Sequence, residues 1–301
     1  MDEDGNGHGT HCAGTIASRK FGVAKAANVI AVKVLGSNGS GTMSDVIGGV
    51  VWAATQASAK AQAALEEFMK TGKTSHKGSV ANMSLGGGKS KALDDTVNKA
   101  VLAGMHFAVA AGNDNRDACN NSPAAAEEAV TVGASTLGDE RAYFSNHGPC
   151  VDVFAPGLNI KSTYIGSNIS TTTMSGTSMA SPHTAGLLAY LLSIYPSKEF
   201  NPALLPDLAS APALQAPAAT GPSAFSSAYA IAYDSLPSWV VAFLPPPALV
   251  EGAAPFAPVP PPTLTPKQLK RALLALATEN VIAEPLPSGS PNLLIFNNAT
   301  A

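Results

Sequence analysis

The chain of 301 residues has little charge: Asp, Glu, Lys and Arg together make up 13% of it, about half the usual share of a globular protein. Its net charge of −3 leaves no basic footprint with which to hold nucleic acid. Nowhere do about eighteen uncharged apolar residues follow one another, so no membrane-spanning helix is expected. The shortage of charge is local. Residues 201–262 contain three charged side chains, Asp207, Asp234 and Glu251, while sixteen of the 23 prolines fall between Pro196 and Pro266. Proline at that density interrupts helices and sheet ladders, and Pro245-Pro246-Pro247 and Pro258 to Pro262 favour extended polyproline segments. Residues 201–262 therefore read as a low-complexity, disordered insertion, with a ligand for a proline-recognising domain as the second reading. Residues 1–200 and 263–301 are left to form one large domain, long enough to bury a substantial core.

In those two segments strand and helix patterns alternate. Asn28 to Leu35 reads as a buried strand, and Ser44 caps a helix from Asp45 towards Met69. Val80 to Met83 is a strand, Leu93 to Ala103 a helix stopped by Gly104, and Met105 to Ala110 and Val130 to Ala134 are further strands. Thr265-Pro266-Lys267-Gln268 is a capping box with proline at the first helical position, opening a helix to about Ala277. The alternation predicts an α/β fold with a doubly wound, mostly parallel sheet flanked by helices.

Three segments carry chemistry. Gly176-Thr177-Ser178-Met179-Ala180-Ser181-Pro182-His183 puts a serine at the start of an apolar helix, among backbone N–H groups that stabilise developing negative charge. A serine hydroxyl needs a base, and Asp4-Gly-Asn-Gly-His8-Gly-Thr-His11 offers His8 at another helix start, where the dipole helps keep imidazole neutral. Phe107 to Asn113 is a strand running into a Gly-Asn turn, and an amide at a strand end can donate to an oxyanion. All three sites fall at strand ends or helix starts, where open α/β sheets bind ligands. The pair His8 and His11 could also bind a metal, but neither a protease-type glutamate nor a third ligand accompanies it.

Together these segments, with Ala81-Asn-Met-Ser-Leu-Gly-Gly-Gly88, resemble the subtilisin-like serine proteases. Within them the likeness is to the proteinase K branch. Gly22-Val-Ala-Lys-Ala-Ala-Asn-Val, Gly39-Ser-Gly-Thr-Met-Ser-Asp-Val and Asp139-Glu-Arg-Ala-Tyr-Phe-Ser-Asn are similar to the cerevisin-type vacuolar proteases of fungi. The resemblance covers residues 1 to about 198 and resumes near Leu264. It implies serine endopeptidase activity, with Ser178 as nucleophile, His8 as general base and Asn113 as oxyanion donor, and gives His11 a packing role. It also implies that Ser84, Leu85 and Gly86 wall a substrate pocket and that Gly39, Ser40 and Gly41 pair with an extended polypeptide substrate. No cofactor is implied for the chemistry, and a structural calcium is implied at Asp152. The implied partners are polypeptide substrates and an inhibitory pro-segment, the implied state a monomer, and the implied location the vacuole or the cell exterior.

The same resemblance places an orienting aspartate well before the histidine, on an earlier strand. Only Asp2 and Asp4 precede His8, and both belong to the approach to its helix. The reading is therefore of a chain missing the N-terminal part of the fold, its catalytic aspartate, any signal peptide and the pro-segment, and impaired as it stands. The alternative is a non-catalytic subtilase-like fragment that binds extended peptides. Positions similar to Cys119 and Cys150 are disulfide-bonded in some relatives, which implies a bridge here and an oxidising compartment. Cys12, one turn from His8, reads as a buried free thiol. His106 and His147 read as structural or exposed, and Asn38, Asn168 and Asn298 head low-specificity glycosylation sequons.

Overall fold

A computed structural model describes residues 3–202, 263–283 and 285–297. The proline-rich segment, and with it every expectation placed on residues 203–262, lies outside the described residues, as does Asn298. The chain divides into two units. The first comprises residues 1–63, 76–201 and 262–301, and the second residues 64–75 and 202–261. The described sheet and the site lie in the first; the described part of the second is essentially one helix end and the turn after it.

His106–Ala110 (β3) and Val130–Ser135 (β5) are buried at every position, as strands covered on both faces must be. They form the centre of a sheet with Val80–Met83 (β1), Val153–Pro156 (β6), Leu293–Leu294 (β10) and Thr278–Glu279 (β9), in the order β1-β3-β5-β6-β10-β9. Every pairing is parallel except that of β10 with β9. The expected α/β fold with a mostly parallel sheet is thus present. Gly87–Gly88 (β2) pairs with Asn121–Ser122 (β4), and Ile160–Thr163 (β7) with Thr171–Met174 (β8), as two short antiparallel ribbons.

The helices sort by their apolar faces. Met43–Thr71 (α2) and Lys91–Leu102 (α3) place Val46, Val50, Leu93 and Val97 in one cluster with Phe107 and Val109 of β3. Thr177–Ile194 (α4) is apolar on all sides and buried along most of its length, the pattern of a helix enclosed by the core. It packs against β1, β3, β5 and β6 and against His8–Ala17 (α1). Leu187, Leu188 and Leu191 of α4 are each at most 2% exposed, worth roughly 1.5–3 kcal/mol apiece. This burial anchors the helix whose first turn carries Ser178. Pro266–Leu276 (α5) opens on the expected capping box, with Thr265 and Gln268 bonded reciprocally.

Two local readings differ from the structure. Residues 28–35 form no strand, and Val29 and Ile30 are 49% and 72% exposed. A strand persists only when its backbone groups find a neighbour; among the described residues the sheet ends at β1, and only Val34 and Leu35 reach the α2–α3 cluster. At the start of α2 the cap is Thr42, whose hydroxyl accepts from Asp45 N–H at 3.2 Å, and Ser44 lies inside the helix. The implied disulfide is present: Cys119 and Cys150 are bonded, with Cα atoms 5.2 Å apart.

Candidate active site

Glycines open both helices that supply the expected nucleophile and base. Gly7, before α1, has φ 93°, and a Cβ there would lie 2.4 Å from the Tyr164 ring. Gly176, before α4, has φ 154°. Neither offers a side-chain cap, so the first-turn N–H groups are left for other partners. In α1 the partner is Asp4: Oδ1 accepts from Asn6 and Gly7, and Oδ2 from the N–H and hydroxyl of Thr10. Burial opposes ionisation of this carboxyl, but those hydrogen bonds outweigh it and hold its pKa below the usual carboxylate range.

His8 is half-buried at the first position of α1. Desolvation and the neighbouring His11 lower its pKa, with Asp4 acting in the opposite direction. Its Nδ1 lies 4.0 Å from Cys12 Sγ, and among the described residues it makes no hydrogen bond to a carboxylate. Cys12 is free and buried, and burial pushes its pKa up to about 11, so it stays a neutral thiol. Its Sγ donates to the carbonyl of Ser178 at 3.3 Å. His11 is fully buried, with Nε2 3.0 Å from the Ile160 carbonyl.

Asn113 follows β3 and is tied to the first turn of α4. Its Oδ1 accepts from Thr177 N–H at 2.8 Å and from the Thr177 hydroxyl at 3.0 Å, which leaves Nδ2 free to donate elsewhere. Thr177 Oγ1 in turn accepts from Gly112 N–H at 3.1 Å. A Cβ built on Gly176 would lie 3.6 Å from Asn113 Nδ2 and 3.6 Å from Ser178 N. The Asn113 amide and the Ser178 backbone nitrogen thus lie beside one another at the start of α4, with Asn113 Oδ1 3.7 Å from the same point. Behind it, Asn146 accepts from Asp114 and Arg116 N–H and donates to the Ala111 carbonyl, bracing the turn that carries Asn113.

Beside Ser178 opens a cavity of about 200 Å³, walled by Leu85, Gly86, Ala110, Gly112 and Asn121 among others. Ser84 is not part of the lining: its hydroxyl donates to the Ser178 carbonyl at 2.7 Å, and its own carbonyl accepts from Ser178 Oγ at 3.4 Å. Gly39, Ser40 and Gly41 are exposed, in a loop closed by Gly36 N–H to the Ser40 carbonyl, and do not line the cavity. The roles of Asn146 and Thr177, ordinary residue types, arise from contacts distant in the chain and carry no signal in the sequence, and Asn82, which heads a sequon expected to be buried in the substrate strand, is half-buried. The missing N–H of Pro182 is legible in the sequence alone.

Asp152 was the expected calcium ligand. Its Oδ2 accepts from Thr131 N–H and lies 2.8 Å from Lys270 Nζ, which also donates to the carbonyls of Glu127 at 2.9 Å and Ala129 at 2.6 Å. Burial raises the Asp152 pKa, and Lys270 and Thr131 counter part of the rise. An ammonium thus occupies the oxygen cradle that a calcium ion would need, and the residues do not fit the metal while Lys270 is in place. Lys270→Ala should lower stability by about 2 kcal/mol, less than the roughly 3–5 kcal/mol of a fully buried pair, because the side chains are 18% and 22% exposed. Thermal melting in calcium and in chelator should coincide for the parent chain and separate for Lys270→Ala. A parent melting point that rises with calcium, and no longer does so in Asp152→Asn, would show that the ion displaces the lysine.

Comparison with known proteins shows what the chain as a whole is similar to. Residues 1–219 match the sequence profile of the subtilase family. The chain is 54% identical over 296 residues to the subtilisin-like serine protease Pen ch 18 of Penicillium rubens, covering 98% of this chain and 47% of that protein. It is 51% identical over 296 residues to cerevisin of Saccharomyces cerevisiae, covering 98% and 37% respectively. Among solved structures, a cold adapted subtilisin-like serine proteinase superposes with a TM-score of 0.65 at 36% identity, covering 99% of this chain and 77% of that one. The chain spans about half the length of the curated relatives it matches.

Proposed function

We propose that this chain, which belongs to the subtilase family, carries the nucleophile, base and oxyanion donors of a serine endopeptidase. Ser178 Oγ attacks the scissile carbonyl carbon while His8 takes the hydroxyl proton; the proton then passes to the leaving amine, and the acyl-serine ester is hydrolysed by water in the reverse sequence. The observation that supports this reading is that Asn113 Nδ2 and Ser178 N lie beside the same point at the start of α4, each 3.6 Å from a Cβ built on Gly176; a donor pair so placed can hold an oxyanion. The cavity beside it suits a side chain of an extended polypeptide substrate. An inhibitory pro-segment would compete for the same cleft. The disulfide suits a secreted or vacuolar protein, and no helix among the described residues is long and apolar enough to cross a membrane.

Asp4 is committed to α1, and among the described residues no carboxylate is bonded to the His8 ring. The direct assay is single-turnover labelling with a fluorophosphonate, mapped by mass spectrometry. Folded chain should be modified at Ser178 and denatured chain should not. Because attack requires neutral His8, and burial lowers its pKa from 6.5, labelling should rise through an apparent pKa below 6.5 and be flat above neutrality. Failure to label Ser178 would favour a peptide-binding fragment without catalysis, and a rate still climbing above pH 7 would exclude His8 as the base.

A further inference from the structure

In an α-helix the carbonyl of each residue accepts the N–H four positions on. For Ser178 that position is Pro182, which lies inside α4 and has no N–H to give. The carbonyl of the nucleophile's own residue is therefore without its helical partner, and a carbonyl in so enclosed a place needs another. Two side chains from different elements supply it: Ser84 Oγ, just after β1, at 2.7 Å, and Cys12 Sγ, from α1, at 3.3 Å. The Ser84 hydroxyl accepts from Asn82 Nδ2 at 2.9 Å, and Asn82 Oδ1 accepts from Ser181 Oγ at 2.7 Å. The contacts close a ring from β1 through Ser84 and Ser178 into α4 and back through Ser181 to Asn82.

We propose that Ser84 is a positioning residue for Ser178, and that Pro182 is the feature that makes it one by stripping the Ser178 carbonyl of its helical partner. The proposal rests on the reading of Ser178 as nucleophile. Ser84 holds the peptide of Ser178 with its hydroxyl and receives the Ser178 hydroxyl on its carbonyl, while the next residues, Leu85 and Gly86, wall the cavity. One segment thereby sets both the place of the substrate and the height of the attacking oxygen. Cys12 provides a second, weaker donor to the same carbonyl.

The test is a double-mutant cycle on the whole chain with Ser84→Ala and Pro182→Ala, read by the maximal rate and half-saturation of fluorophosphonate labelling and by melting temperature. With Pro182 present, Ser84→Ala should cut the maximal labelling rate about tenfold, the worth of one hydrogen bond, and leave half-saturation within about twofold. Ser84→Thr, which keeps the hydroxyl, should restore the rate to within about threefold of the parent. In Pro182→Ala the new N–H takes the carbonyl, and Ser84→Ala should then add less than about twofold. Additive effects in both backgrounds, or a change confined to half-saturation, would overturn the proposal. The melting cycle decides it independently of chemistry. Ser84→Ala should lower the melting temperature only while Pro182 is present, and additive shifts would overturn the clasp. A parent chain that does not label at Ser178 refutes the nucleophile reading, and the melting cycle still decides the clasp.

Discussion

Asn113→Asp should slow acylation of Ser178 by about 10²- to 10³-fold while leaving the melting temperature almost unchanged; the magnitude is that of subtilisin's own oxyanion asparagine and is borrowed from it. Two effects separate cleanly in this substitution. Oδ1 of Asn113 holds the N–H and hydroxyl of Thr177, and an aspartate keeps both bonds. Its charge at the start of α4 is favoured by the helix dipole. Nδ2, in contrast, is the donor that borders the same space as Ser178 N–H, and a carboxylate oxygen in its place repels an oxyanion. The fluorophosphonate rate and a thermal melt on the same preparation check both halves. A rate within threefold of the parent would remove Asn113 from the oxyanion hole.

Cys119→Ala combined with Cys150→Ala should lower stability by about 3–4 kcal/mol. The bonded residues are 31 apart in sequence, and closing a loop of that length in the unfolded chain has roughly that entropic worth. In a domain of this size the melting temperature should fall by about 8–12 °C. The loop contains β4 and β5, and with them Asn121, Ser122 and Ala124 of the cavity wall, so labelling by bulky probes should weaken as well. Denaturant unfolding of the double variant gives the stability directly. A loss below about 1 kcal/mol would mean that the bridge constrains little of the unfolded chain. Cys12, buried and with its pKa pushed up to about 11, should remain unreactive in both proteins until they unfold.

Much of this molecule was legible in residue order because the signals involved are local. The capping box at Thr265 and Gln268 spans four residues and forms as read. The apolar runs of β3 and β5 become buried central strands, since such runs are stable only when covered. Misreadings arise where a distant partner decides. Asn28 to Leu35 has a strand's composition, but composition cannot supply a neighbouring strand. Asp152 has a carboxylate suited to a cation, but the cation beside it is Lys270, from a helix more than a hundred residues later.

The site divides along the same line. Residue order by itself determined the chemical types: a serine at a helix start, a histidine at another, an amide at a strand end, and a proline that denies one carbonyl its partner. These follow from covalent structure and short-range backbone geometry. Tertiary structure alone decided that Asn113 Oδ1 holds Thr177 at the start of α4, that the Ser84 hydroxyl meets the Ser178 carbonyl instead of the cavity, and that Asp4 is spent on α1. Each of those outcomes is a choice between hydrogen-bond partners, and nearly all the competing donors and acceptors meet only after α1, β1, β3 and α4 have packed together.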